Sequence, residues 1–403
     1  MTTSNNSEVL AINGGPKACT EPWPKRRLFG EEEKQATLEL FDQCIATGEA
    51  FGYAGAQEDE FCKAFAQHMG GGFADGVNSG TNAVYVALRS LDLEPFTEVI
   101  VPPITDPGGV MPVALINCVP VPADSAPNSY NAGVEQIEAR LTRRTSAILG
   151  AHIAGIPADM EPILALAQKR GIPVMEDCAQ AHGAKYQGKF VGSLGEVAAF
   201  STMFGKHIAT GGQGGVVFTT DEQRYWNVRR MADRGKPHGI EGPSDNVRAS
   251  LNCNMDELHA AIGRAQVQKL PGIIERRRKL ALAIEKGCEE RLSTVRLVGD
   301  PSWGESSFWF LFFRLDPEKL NVDKTTFVQA LAAEGLPVGN SYSHTPSDKP
   351  WFQEQIVYGE SKMPWANPCY KGDATPHYET PNIHAAHLRH FTMSFHENLT
   401  ERE

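Results

Sequence analysis

The sequence predicts an α/β protein: a large unit built on a mainly parallel sheet flanked by helices, followed by a smaller α+β unit. Three observations carry this expectation. At 403 residues the chain exceeds one ordinary domain. Between about residues 30 and 250, short apolar runs alternate with helical patterns, the signature of βαβ units. After Asn252 that alternation gives way to one long helical pattern, then to an aromatic strand, a helix and a region rich in Gly, Pro and His.

Taken in order, residues 1–28 read as an N-terminal arm, 29–254 as the large domain, and 255–403 as a connector helix with the small C-terminal domain. Glu135 to Leu141 has helical spacing, and Ser146 to His152 reads as a buried strand. Asp159 caps a helix running to Lys169, which Gly171 stops. Ile172 to Glu176 is a second buried strand ending at Asp177, and in open α/β sheets ligands collect beyond the carboxyl ends of such strands. Met255 to about Arg291 is a long helix that Pro271 interrupts or bends, because proline lacks the amide donor. Phe308 to Leu315 reads as a strand and Lys324 to Glu334 as a helix. Thr400 to Glu403 has the form of a capping box with almost no helix behind it, as though the chain stops where a final helix would begin.

Composition excludes several classes. A net charge of -11 and a pI near 5.6 set the whole-chain field against nucleic acid and anionic membrane surfaces. The short basic runs at 25–27 and 276–278 read as solvated faces or helix ends. Met1 to Val9 lacks the layout of a secretory signal, and no apolar run of about 18 residues occurs, so a cytoplasmic protein without membrane spans is expected. The eight cysteines show no CxxC spacing and are expected as small core residues rather than zinc ligands or disulfides. Histidines gather only between His377 and His396, without HExxH spacing, which predicts a solvated polar loop and no metal.

Four segments are candidates for chemistry, and each alone has an ordinary explanation. Asn78 to Val84 is a small polar turn opening a helix: its free amides suit an anion and Gly80 admits close approach, yet a plain helix cap looks the same. Glu176 to Gly183 follows the strand, where Asp177 either holds a protonated ring nitrogen or satisfies nearby amides. Phe200 to His207 places Lys206 among apolar and small residues, whose desolvation frees the amine to form an imine. The glycines from Gly211 to Gly215 then leave room for a planar ligand or form a flexible loop; no GxGxxG follows a first strand, which argues against a dinucleotide site. Leu251 to Glu257 heads the long helix and reads by itself as a cap.

In this order the four segments resemble the DegT/DnrJ/EryC1/StrS family of sugar aminotransferases, which use pyridoxal 5'-phosphate (PLP) on the fold type I architecture of aspartate aminotransferase. The likeness runs from about Phe29 to His396. It implies that residues 29–254 bind PLP and that Lys206 holds it in a Schiff base and shuttles the proton. It further implies Asp177 as partner of the pyridine nitrogen and Gln180 as partner of the ring hydroxyl. Gly80, Thr81 and Ser201 would hold the phosphate. Asn252 would reach the phosphate of a neighbouring subunit, giving a homodimer with shared sites. Family dehydratases carry histidine in place of the Schiff-base lysine, so Lys206, with His207 next to it, favours transamination from glutamate to a keto or aldehyde sugar.

Two positions depart from the family pattern. After Val101-Pro102-Pro103-Ile104-Thr105, Asp106 stands where an aromatic ring would stack on PLP, and Asn254 replaces the usual arginine. Asp106 has two readings, a contact for substrate hydroxyls or the donor ammonium, and an Asx turn before Pro107. Tyr342 and His344, in the loop Asn340 to His344, are candidates for acceptor contact or parts of a structural turn. Thr105-Asp106 with Gly108 resembles the branch that forms 8-amino-3,8-dideoxy-octulosonate for lipopolysaccharide, the preferred acceptor reading; scyllo-inosose and nucleotide-linked keto sugars are the alternatives. A catalytically idle PLP-fold sugar-binding protein and a nicotinamide dehydrogenase are the competing classes.

Overall fold

The computed structural model describes residues 9–400, so Met1 to Glu8 and the expected cap at 401–403 lie outside the described residues. Seven strands form the main sheet: β1 (Phe73–Val77), β2 (Glu98–Val101), β3 (Val119–Pro122), β4 (Thr145–Ala151), β5 (Val174–Asp177), β6 (Val197–Ser201) and β7 (Gly215–Thr219). Their spatial order is β1-β7-β6-β5-β4-β2-β3. The pairs from β6 through β5, β4 and β2 to β3 are parallel, while β7 runs antiparallel to both β6 and β1. This is the mainly parallel sheet the alternation predicted, with antiparallel pairing confined to one edge.

All four residues of β2, β3 and β5 are buried, as strands covered on both faces require. One face packs Phe61, Phe65, Ile148, Ile163, Phe200 and Leu270 together; the other packs Val84, Leu88, Val99, Leu149, Val217 and Met231. The helix predicted after Asp159 spans Met160–Arg170 and ends at Gly171 in the left-handed conformation that suits glycine. The helix read at 135–141 is only Val134–Glu138, one turn between strands.

The connector is Glu257–Arg291, 35 residues without a break at Pro271. Leu270, Ile273 and Ile274 are buried on either side of the proline, and this burial offsets its local cost of about 3 kcal/mol. The helix begins at Asp256, whose side chain accepts from the amide of His259. Beyond it a four-stranded antiparallel sheet forms from β8 (Val295–Leu297), β9 (Leu311–Leu315), β10 (Val338–Gly339) and β11 (His390–Met393), in the order β8-β9-β11-β10. The strand expected from Phe308 starts only at Leu311, because Phe308 itself adopts a positive φ of 50°.

Several surface expectations are corrected. Pro381–Arg389 is a helix, so His384 and His387 do not belong to a loop. Both basic runs turn an arginine inward: Arg277 is 2% exposed and Arg26 is half-buried, and they bind the two oxygens of Glu397 at 2.9 Å each. Four cysteines are buried as expected, but Cys369 is exposed. No helix among the described residues is long and apolar enough to cross a membrane.

Candidate active site

The strand ends converge. β1, β2, β4, β5 and β6 finish at one edge of the sheet, and β7, running the other way, starts there, as the pairing of Val77 with Gly215 and of Ser201 with Gly215 shows. Helix Gly80–Ser90 therefore opens over the end of β6, capped by Ser79, whose Oγ accepts from the amide of Asn82 at 3.1 Å. The first amides of a helix have no carbonyl within it, so Gly80 and Thr81 present donors at this edge. A side chain on Gly80 would meet Ser201 Cβ at 2.6 Å, so only glycine lets the helix start reach β6. The later glycines serve packing as well: a Cβ on Gly215 would strike the Ser79 carbonyl oxygen at 2.6 Å.

Asp177 ends β5, buried. Its Oδ1 accepts from the amide of Ala179 at 3.0 Å and its Oδ2 from Thr105 Oγ1 at 3.4 Å. Burial pushes its carboxyl above the ordinary range, against the pull of the Ala179 amide and of Lys206. The preceding Glu176 points into structure instead. It accepts from the amides of Gly192, Leu194 and Gly195 and faces His152 at 3.1 Å, so although Cys178 lies close enough to complete a metal-like cluster, its oxygens are already occupied.

Lys206 sits five residues beyond β6, 5% exposed. Burial lowers its amine to about 8, opposed by Asp177 and Asp106. No ion pair joins Lys206 to Asp177 among the described residues; its Nζ instead lies 3.6 Å from the ring centroid of Trp309. Its backbone is held from several sides. Arg26 donates to the carbonyls of Lys206 and His207 at 2.5 and 2.6 Å, and Trp309 Nε1 donates to Gly205 at 2.8 Å. Beneath it, burial pushes His182 down to about 4, so this ring is neutral and donates from Nε2 to the carbonyl of Ser201.

The other predicted residues fall into two groups. Gln180 accepts from the amide of Ala154 at 2.8 Å and donates to Tyr342 Oη at 2.9 Å, and the Tyr342 ring lies 4.9 Å from that of His344, so all three reach the site. Asp106 forms the Asx turn, accepting from the amide of Gly108 at 2.9 Å, and its charge still acts on Lys206. Asn252 stands apart. It is exposed, bridges Asp233 and accepts from Asn254 Nδ2 at 2.7 Å, with no contact to Lys206, Asp177 or Ser201 among the described residues.

Sequence reasoning missed Trp309 and Gly109, and took Thr105 only as a mark of the acceptor branch rather than as a partner of Asp177. A Cβ on Gly109 would come within 2.7 Å of Asp177 Oδ2, and the Pro107-Gly108-Gly109 run was a visible signal for such an approach. Trp309 gave none, lying in a run of aromatic residues that reads as strand. A cavity of about 520 Å³ adjoins this group, bounded by Phe204, Gly205, Trp309, Phe310 and Tyr342.

Against known proteins, the model of the DegT/DnrJ/EryC1/StrS aminotransferase family matches residues 31–389. The chain belongs to this family. It is a PLP-dependent aminotransferase of fold type I. Among its relatives is the GDP-perosamine synthase of Caulobacter vibrioides, 34% identical over 69% of this chain and 74% of that protein. Another is the spore coat polysaccharide biosynthesis protein SpsC of Bacillus subtilis, 30% identical over 85% and 88%. The structure of an aminotransferase from Psychrobacter cryohalolentis superposes with a TM-score of 0.79 at 27% identity, covering 95% of each chain. That of DesV from S. venezuelae, in complex with a ketimine intermediate, gives 0.77 at 26%, covering 96% and 95%.

The residues present fit PLP. Helix-start amides beside Ser201 suit a phosphate, and the glycines at 80 and 109 keep the walls of the cradle close without filling it. A buried carboxyl short of cationic partners suits a ring nitrogen that is charged when paired, and a buried amine near 8 suits a carbonyl carbon.

Proposed function

We propose that this aminotransferase carries an amino group from glutamate to a nucleotide-linked keto sugar, with Lys206 as the residue that moves the proton. The observation that carries this reading is the Lys206 amine itself, buried on Trp309, lowered to about 8 and facing Asp177 without an ion pair. When bound, PLP supplies the carbonyl that takes up the amino group and the electron-withdrawing ring that stabilises the carbanion. The chain does the rest. Asp177 would keep the ring nitrogen protonated, Gln180 would meet the ring hydroxyl, and Gly80, Thr81 and Ser201 would hold the phosphate. Lys206, with an amine poised near neutrality, takes a proton from the donor carbon and returns one, while its backbone stays fixed by Arg26.

In this reading Asn252, exposed and away from its own site, serves the phosphate of a partner in a homodimer, the large domain spans 29–254, and the small domain with its helix spans 255–403. Eight unpaired cysteines suit a reducing, cytoplasmic setting. The acceptor class draws on relatives named for nucleotide sugars, the GDP-perosamine synthase and a UDP-N-acetyl-3-dehydro-glucosamine 3-aminotransferase, and on one named for an inosose. The octulosonate preference rested on Thr105, Asp106 and Gly108. The Asx turn and the Thr105 hydrogen bond to Asp177 account for those residues without an acceptor, so that preference lapses.

The test is a coupled assay of glutamate with a GDP-linked 4-keto sugar, a UDP-linked 3-keto sugar, scyllo-inosose and the 8-oxo octulosonate, reading 2-oxoglutarate. Turnover is expected with a nucleotide-linked substrate and is lost in Lys206→Ala. Turnover confined to the inosose or the octulosonate would overturn the acceptor class; none with any of the four would overturn the sugar reading.

A further inference from the structure

Most non-glycine residues with a positive φ in this chain are exposed or half-buried, where turns impose it. Ala154, at 59°, and Phe308, at 50°, are different: they are 0% and 1% exposed, and their neighbours are bonded to one another beside the site. The left-handed region crowds the Cβ of every residue but glycine. A buried residue therefore keeps it only where its surroundings hold it there, and such positions gather at functional sites. Here the Ala154 amide donates to Gln180 Oε1 at 2.8 Å, and the Ala154 carbonyl accepts from the amide of Trp309 at 2.8 Å. The Gly155 carbonyl accepts from the amide of Ser307 at 2.9 Å, and a Cβ on Gly155 would meet the Phe308 nitrogen at 2.8 Å, so the two segments touch backbone to backbone. Arg277 closes the far side through the carbonyls of Phe308 and Trp309.

One residue thus sets two side chains of the site. Its N–H fixes which way the Gln180 amide faces: Oε1 is engaged, Nε2 donates to Tyr342 Oη at 2.9 Å, and the second Nε2 hydrogen is left for a ligand. Its carbonyl fixes Trp309, whose Nε1 donates to Gly205 at 2.8 Å and whose ring centroid lies 3.6 Å from Lys206 Nζ. Turning Ala154 out of the left-handed region would redirect both groups at once.

We propose that Ala154 is a positioning residue for amino transfer, its left-handed backbone clasping the segment around Phe308 and holding Gln180 and Trp309 in place around Lys206. The Gln180 half rests on the reading given above for the ring hydroxyl; the Trp309 half rests on contacts of the chain alone. The test reads the midpoint of Lys206 labelling by an aldehyde in the full-length chain freed of PLP, which Trp309→Leu is expected to lower by roughly half a unit to one unit. Gln180→Met removes the acceptor of the Ala154 amide while keeping shape, and Ala154→Val puts a branched side chain where the left-handed region excludes it. No hydrogen bond or ring contact joins Gln180 or Ala154 to Lys206 among the described residues. Each variant is nevertheless expected to lower the midpoint, and to add nothing when combined with Trp309→Leu, because the path runs through the indole. Ala154→Gly, which takes the left-handed conformation freely, is expected to leave the midpoint and the melting temperature unchanged. An unmoved midpoint in Gln180→Met, which decides the matter alone if Ala154→Val does not fold, a shift that adds in full to that of Trp309→Leu, or an equal shift in Ala154→Gly would overturn the proposal. No turnover enters these readings, so failure of the keto-sugar assay leaves the clasp standing, and an unmoved midpoint leaves the acceptor reading standing.

Discussion

Two buried charged clusters lie within a few residues of each other in this fold and are built on opposite terms. Around Glu397, Arg26 and Arg277 close every demand: each arginine takes one carboxylate oxygen, Arg277 also donates to the carbonyls of Phe308 and Trp309, and Arg26 to those of Lys206 and His207. Burial opposes the charge of Glu397, but Arg277 and Arg26 outweigh it and hold the carboxyl below its usual range. Around Lys206 and Asp177 the demands stay open. Burial moves both groups toward neutrality and no ion pair among the described residues relieves them. A cluster satisfied by its own chain is scaffold; one that requires a partner from outside is a site.

The sharpest way to break this contrast is Asp177→Asn. If the open carboxyl exists to pair with the cofactor ring, turnover falls by at least about 100-fold while bound cofactor, read by its absorbance, stays. Near-normal turnover would remove Asp177 from the open cluster.

The closed cluster is tested by Glu397→Gln, which leaves Arg277 buried without its counter-charge. A loss of about 3–5 kcal/mol in unfolding free energy is expected by denaturant titration. The pH profile gives a second reading. Because the folded-state carboxyl is held low, Glu397 contributes stability above the ordinary carboxylate value and loses it as the pH falls through the lowered one, so this acid limb should shrink in the variant. Lys206 acts at the other end of the scale. Its amine is lowered from 10.5 to about 8, so burying it weakens the cofactor-free fold below about pH 8, and that loss is recovered as the pH rises to about 10.5.

The smallest expected effect is on Trp309→Leu. The indole face favours the ammonium form, so replacing it with an apolar side chain should move the midpoint of Lys206 labelling by an aldehyde in the cofactor-free protein below about 8, by roughly half a unit to one unit. An unmoved midpoint would show that the ring only packs.

Legibility followed sequence distance. Asp177 at the end of a buried strand, Gly80 in a turn before a helix and Lys206 among apolar residues could be read because strand ends, caps and desolvation are local matters. The basic runs misled, since Arg26 and Arg277 look solvated until Glu397, 371 and 120 residues away, is brought between them. Pro271 misled for a related reason: its local penalty is visible, but the packing of Leu270 and Ile273 that offsets it is not.

The sequence by itself therefore determined the α/β class and the family and marked the candidate site residues, because periodicity and short motifs are written along the chain. Only the tertiary structure decided that Trp309 underlies Lys206 and that Asp106 closes a turn. Those are contacts between distant segments, and their energies depend on burial and distance, which no local pattern encodes.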